Sequence, residues 1–298
     1  MKTKLLPRLM IAASMVIFGT IAIFVRNIPI SSAQLSLCRA AVASALIGLF
    51  LILSKQKISL KSLGRDLWLL LISGAAMGIN WILLFEAYRF TTVSVATLSY
   101  YFAPVIIILA CPILFREKLG VRQWICFVMS TLGIVLITGI GDLSSGSSHI
   151  KGIAFGLAAA CFYAFVVLTN KFIKGVAGIQ RTFLQFVAAA VVLLPYVLIK
   201  EGLSFAAMDG KGWLLLGVVC LVHTGVCYCL YFSALKDVPG QEAAILSYCD
   251  PLVAVLCSIF VLGEAVSAPQ IIGGVLILGF TLWNELGGTI SREANIES

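Results

Sequence analysis

"LSYCDPLVA", residues 246–254, places an acid and a proline side by side, Asp250 and Pro251, at the head of a long apolar run. Pro251 has no backbone N–H, so a helix through it loses one hydrogen bond at the level of Asp250. A near copy, "LSYYFAPVI", stands at residues 98–106. There the proline is Pro104, and Ala103 occupies the place of the acid. A proline repeated in oily sequence, with a carboxylate beside one copy only, sets the question of fold and of function together.

The surrounding composition decides the class. Of the 298 residues, 61% are hydrophobic and 11% charged, and the mean hydropathy is +1.07. A soluble domain carries roughly 25% charged residues. Such a chain is read as a polytopic membrane protein. Its formal charge of +8 comes from basic residues in the short breaks between apolar runs. That placement sets membrane orientation and excludes a nucleic-acid footprint. The nine cysteines lie almost wholly inside the apolar runs and read as small buried hydrophobes. "MKTKLLPRLM" opens an uncleaved start-transfer helix on this reading, because further spans follow it.

A span needs about 20 apolar residues. Cutting at charges, Pro/Gly clusters and polar turns gives ten candidates: 8–25, 33–53, 67–89, 92–114, 121–140, 151–172, 179–199, 211–235, 240–262 and 267–286. Backbone groups in lipid must be satisfied within the segment, which selects helices. The longest connections, "SKQKISLKSLGRD" and "GDLSSGSSHIKG", are too short for an extramembrane catalytic domain. With the N-terminus inside, five of the 21 Lys and Arg residues fall outside: Arg26, Arg89, Lys151, Lys200 and Lys211. Arg39 alone lies within a span, and the remaining fifteen are inside. The bias places both termini in the cytoplasm.

An offset of 147 pairs Pro104 with Pro251, Tyr101 with Tyr248, Ala87 with Ala234 and Glu117 with Glu264. The repeat therefore covers five helices. An odd number inverts the second copy in the membrane, a plan that recurs in secondary transporters with the solute site between the halves. The predicted fold is an all-α integral membrane protein of ten transmembrane helices in two inverted five-helix repeats. Residues 1–140 form the first repeat, 141–150 an extracytoplasmic linker, 151–286 the second repeat and 287–298 a cytoplasmic tail.

Each repeat shows a short turn, small residues, a mid-helix proline, an acid about thirteen residues on and a Gly-rich helix. In this pattern the chain resembles ten-helix members of the drug/metabolite transporter superfamily with two EamA-type repeats. One position departs from the pattern: where relatives often show Trp-Gly, the first span reads Phe18-Gly19. The resemblance implies a solute carrier working by alternating access, without ATP hydrolysis.

Candidate residues follow from the cost of polarity in lipid. A carboxylate at bilayer depth costs about 2.5–3.5 kcal/mol on insertion scales, so Asp250 should face a wet cavity or a partner. It reads as a site for a substrate cation or a proton, against a carboxyl hydrogen-bonded for packing. His223, central in span eight, is a proton relay or a core histidine, and a short turn leads from its span to that of Asp250, so the two are placed to meet. Arg39 and Glu86 are read as a structural or gating pair, with an anionic substrate group as the alternative partner of the arginine. Asn80 and Trp81 suit recognition of a polar solute, against interhelical packing. Tyr100, Tyr101 and Tyr248 cluster before the paired prolines and could hold a cation, against core packing. Pro104 and Pro251 are the predicted kinks, and Glu117 and Glu264 are helix-end or gate contacts.

The expected function is secondary transport of a small polar metabolite across a bacterial inner membrane. An amino-acid-like, cationic or zwitterionic solute satisfies the candidates best. Proton-coupled export is one mode; an uncoupled facilitator or an exchanger is the other. A membrane-embedded enzyme would have to use His223, Cys227 and Asp250, and a receptor would need a long loop. The chain's two histidines, His149 and His223, stand too far apart for an HExxH, and neither a P-loop nor a GxSxG elbow occurs. The reading calls for no cofactor and no metal. Its partners are the metabolite, protons and the lipid bilayer, with the chain working as a monomer.

Overall fold

The computed structural model describes residues 5–55, 64, 66–115, 119–138, 147–176, 178–235 and 237–294. Among these residues all regular structure is helical. Seven helical segments are long and apolar enough to cross a membrane: Leu5–Val25, Ser32–Leu53, Asp66–Phe90, Val93–Leu114, Ser148–Asn170, Gly178–Lys200 and Gly210–Leu235. Shorter apolar helices cover Val121–Ile137 and Ile245–Phe260. The final helix, Ala268–Ala294, runs on into the segment expected to be a tail from residue 287. Glu117, expected at a gate, lies outside the described residues.

Several spans are interrupted, and each interruption has a local cause. The first divides into α1 (Leu5–Gly19) and α2 (Ile21–Val25) at Thr20, whose hydroxyl donates to the Ile17 carbonyl at 2.8 Å. Such back-bonding bends helices. After α3 (Ser32–Leu53) and α4 (Asp66–Phe90), α5 (Val93–Tyr100) and α6 (Ala103–Phe115) are separated at Tyr101–Phe102. Pro104 sits in the first turn of α6, where a missing N–H loses nothing. Then come α7 (Val121–Thr138), α8 (Ser147–Asn170) and α9 (Gly178–Lys200). The next span combines α10 (Gly210–Cys220), a π-helical turn (Leu221–Val226) and α11 (Cys227–Leu235). Beyond it, α12 (Gly240–Ser247) and α13 (Cys249–Phe260) break at Tyr248, with Pro251 in the first turn of α13. The last helix is α14 (Ala268–Ala294).

Contacts sort the helix ends into two groups. At one end, Arg8 of α1 pairs with Glu242 of α12, Nε to Oε2 at 2.6 Å. There too the Asp66 carboxylate of α4 accepts from the amides of Lys174 and Gly175, at 3.0 and 2.6 Å, just before α9. At the opposite end, Arg26 donates to the carbonyls of Tyr88 and Thr91 at 2.7 and 2.6 Å and pairs with Glu264. Gln34 of α3 reaches the Gly202 carbonyl beyond α9 at 2.6 Å. In the packing between these ends, α4 lies on α8 and α9, α3 on α9, α7 on α14, and α1 on α11 and α13. Close approach needs a missing side chain at Gly19: a Cβ there would stand 2.6 Å from the Asp250 carbonyl oxygen. The backbone that carries the acid is thus packed directly against α1.

Candidate functional site

A cavity of about 680 Å³ lies among the helices, within the range of small-molecule sites. Its wall takes residues from both sequence halves, including Phe18, Tyr101, Tyr163, Tyr228 and Asp250. Spans one, three, four, six, eight and nine all contribute to it. The structure adds Arg39 from α3, Gln185 from α9 and Asn284 from α14.

Asp250 opens α13 and faces this space. Its Oδ2 accepts a hydrogen bond from the Tyr101 hydroxyl at 2.7 Å. Because Tyr101 lies at the α5/α6 break and Asp250 just past the α12/α13 break, the two interrupted spans meet through this bond. Rings line the space around them. Tyr100 stands edge-on to Tyr101 at 5.8 Å and tilted against Tyr163 at 5.5 Å. Tyr228 meets Phe18 at 5.1 Å and Phe186 at 5.0 Å, both edge-on. These are favourable aromatic geometries, and Tyr100, Tyr163 and Tyr228 line the same cavity as the carboxylate. Tyr248, 8% exposed, also lines the cavity.

Trp81 and Arg39 form a further part of the wall. The Arg39 guanidinium stacks over the Trp81 ring at 4.5 Å from its centroid, a cation–π arrangement. Its Nε donates to Thr224 Oγ1 at 2.8 Å. The expected pairing of Arg39 with Glu86 is corrected: Glu86 stands 3.9 Å from Arg89 one turn along α4, at the helix end, while Arg39 turns inward to the aromatic wall. Toward the Arg8 end, Gln185 Nε2 donates to Ser73 Oγ and Asn170 Oδ1, both at 2.8 Å. Arg181 donates to the Asn170 carbonyl at 3.2 Å.

Two further expectations change. His223 is buried, is not part of the cavity wall, and does not join Asp250. Its Nε2 lies 3.0 Å from Thr20 Oγ1 and its Nδ1 3.3 Å from the Val218 carbonyl. From the π-helical turn the imidazole reaches the α1/α2 break at Thr20 and packs on Phe24 of α2. Cys227 likewise donates to the Ser14 carbonyl at 3.1 Å, so His223, Cys227 and Asp250 do not converge. Asn80 is buried outside the wall and donates to the Ala159 carbonyl at 2.7 Å, tying α4 to α8. The sequence reading passed over Thr224, Gln185 and the Arg26–Glu264 pair. A glutamine inside span seven is as costly in lipid as Asn80, and that signal was available.

Among the described residues, helices long and apolar enough to cross a membrane enclose a cavity whose wall carries both charged and aromatic side chains, an arrangement that suits a membrane transport protein. The EamA-like transporter family matches residues 6–139 and 150–284, and the chain belongs to that family. The uncharacterized transporter YxxF of Bacillus subtilis is 31% identical over 265 residues, covering 89% of this chain and 84% of the relative. An uncharacterized inner membrane transporter, YicL of Salmonella typhimurium, is 26% identical over 61% of each chain. Among the solved structures that match, one crystal structure has a TM-score of 0.63 at 17% identity, covering 92% of this chain and 96% of the other, which supports the fold alone.

Proposed function

We propose that this chain is a secondary transporter of a small, polar, amino-acid-like metabolite, working by alternating access in the bacterial inner membrane. The observation that carries the reading is Asp250, a carboxylate in a cavity wall at membrane depth, held by Tyr101 and surrounded by tyrosine rings. A charge so placed requires water or a ligand, and aromatic faces beside a carboxylate suit a cationic group. The inner membrane location is supported by the helical spans and by the Salmonella relative.

Ten spans form two five-helix repeats of opposite orientation, residues 1–140 and 151–286, with 141–150 between them outside and both termini in the cytoplasm. Support comes from the 147-residue offset, from the family match in each half and from helix breaks before Pro104 and Pro251. Rocking of the halves exposes the cavity to one side at a time. Proton-coupled export is the mode that a central carboxylate favours.

The test is flux in proteoliposomes across a panel of amino acids, amines and neutral metabolites. Uptake of at least one amino-acid-like solute is expected, driven by a pH gradient. Asp250→Asn should abolish the pH-driven component of the flux. No flux with any member of the panel sinks the transport reading, and unchanged pH dependence in Asp250→Asn removes the proton role.

A further inference from the structure

Arg39 differs from the other arginines that carry ion pairs among the described residues. Those pairs join Arg8 to Glu242, Arg26 to Glu264 and Arg89 to Glu86. Arg39 is 5% exposed and has no carboxylate within 4 Å among the described residues. Leaving a buried guanidinium without an anion is costly. Yet the surroundings hold it firmly in one pose. Trp81 and Phe85 lie at 4.5 and 5.7 Å from its central carbon, and Thr224 takes its Nε.

The Thr224 contact depends on the π-helical turn. The Thr224 hydroxyl donates to the Val219 carbonyl, five residues back, at 2.9 Å. Its single proton is therefore used, and its oxygen is left to accept from Arg39. One widened turn thus converts a threonine into a fixed acceptor aimed at α3; such turns are frequent at functional sites. With Nε engaged, the guanidinium keeps its two terminal nitrogens, which together match the two oxygens of a planar carboxylate.

Charge in the wall sharpens the ligand class. Four charged side chains line the cavity among the described residues: Arg39, Arg181, Asp250 and Glu285. Arg39 and Asp250 share the cavity without forming an ion pair with each other, so each is available to an opposite charge on one molecule.

We propose that Arg39 is the anion-recognition residue of the cavity, holding the carboxylate of a zwitterionic solute whose ammonium group is taken by Asp250 beside Tyr101. Thr224 and Trp81 are positioning residues that set the guanidinium. The inference rests on the transport reading above and narrows it from cationic or zwitterionic solutes to zwitterionic ones.

The test compares amino acids with their matched decarboxylated amines and α-amides, using thermal shift and equilibrium binding on the full-length protein in detergent. Wild type should bind at least one amino acid about tenfold or more tighter than its amine and its amide, the expected scale of a charge-assisted hydrogen-bonded pair. Arg39→Gln should lose that preference and bind the amine as wild type does. Arg39→Lys should recover part of it. Thr224→Val should weaken the amino acid several-fold and leave the amine unchanged, a selectivity that a general loss of structure would not give. Equal binding of amino acid and amine by wild type overturns the assignment, as does binding of no amino acid. Both comparisons need no variant to fold. Flux, measured separately, distinguishes the two readings: selective binding without flux refutes transport and keeps the site. Flux of an amino acid undisturbed by Arg39→Gln refutes the site and keeps transport.

Discussion

Tyr101 is the one side chain with a direct hydrogen bond to the Asp250 carboxylate among the described residues. A hydrogen bond to a charged group contributes about 1.5–3 kcal/mol. Tyr101→Phe keeps the ring against Tyr100 and deletes only the hydroxyl. The variant should therefore fold, with a modest fall in thermal stability, and should bind a cationic or zwitterionic solute about tenfold more weakly or worse. Titration calorimetry on purified protein checks this, and an unaltered Kd would remove Tyr101 from the site. The acid itself was legible in the sequence because a carboxylate in a span is costly wherever it points. His223 and Asn80 were singled out by their central place in a span, but depth is not direction. Lipid tails are as apolar as a packed helix interface, so composition gives little sign of which way a side chain in a span faces. Arg39 was legible as an intramembrane charge, while its partners, Trp81 and Thr224, come from two other helices and leave no local mark.

At the level of elements, the prolines read in the sequence coincide with real interruptions, at Tyr101–Phe102 and at Tyr248. Thr20 and the π-helical turn at Leu221–Val226 are interruptions without proline, and neither has a sequence signature as direct. The packing of α1 on α13 shows how strongly an element depends on one missing side chain. At Gly19 a Cβ would meet the Asp250 carbonyl oxygen at 2.6 Å and Val253 Cβ at 2.7 Å. Both obstacles are backbone or near-backbone atoms, so neither can swing aside. Gly19→Val should push α1 off α13 at a cost of about 1–3 kcal/mol, and it should disturb the acid's position. Gly217, in α10, has nothing within 4 Å of a Cβ. Gly217→Ala should be neutral or stabilise by about 0.5–1 kcal/mol, since alanine loses less backbone freedom in a helix. Thermal unfolding of the two variants side by side checks the contrast, and similar melting temperatures would contradict it.

For the whole molecule, the ion pairs described at the two ends of the bundle differ in burial. Around Arg26, the guanidinium joins Glu264 and the carbonyls of Tyr88 and Thr91, while Glu264 also accepts from the Val93 amide at 2.8 Å and from the Ser258 hydroxyl. One charge pair therefore ties the end of α2 to the α4–α5 joint and to the segment after α13. The side chains are 27% and 10% exposed, so water screens them little. At the other end, Arg8 and Glu242 are 44% and 37% exposed, and such pairs contribute little. The cavity wall extends toward the Arg8 end through Arg181 and Gln185, on the first turns of α9. On the alternating-access reading proposed above, the Arg26 end has to part. Glu264→Gln removes the charge and keeps the shape, so it should shift the balance toward an opening there by about tenfold, for roughly 1.4 kcal/mol lost. Spin labels at Asn27→Cys and Ser267→Cys, in a background without the nine native cysteines, report the separation. Glu264→Gln should populate a longer distance, and Arg8→Gln should leave the distribution as it is in the parent. If Glu264→Gln gives the parent distribution, the Arg26–Glu264 pair is a packing contact and the closure of that end has another origin.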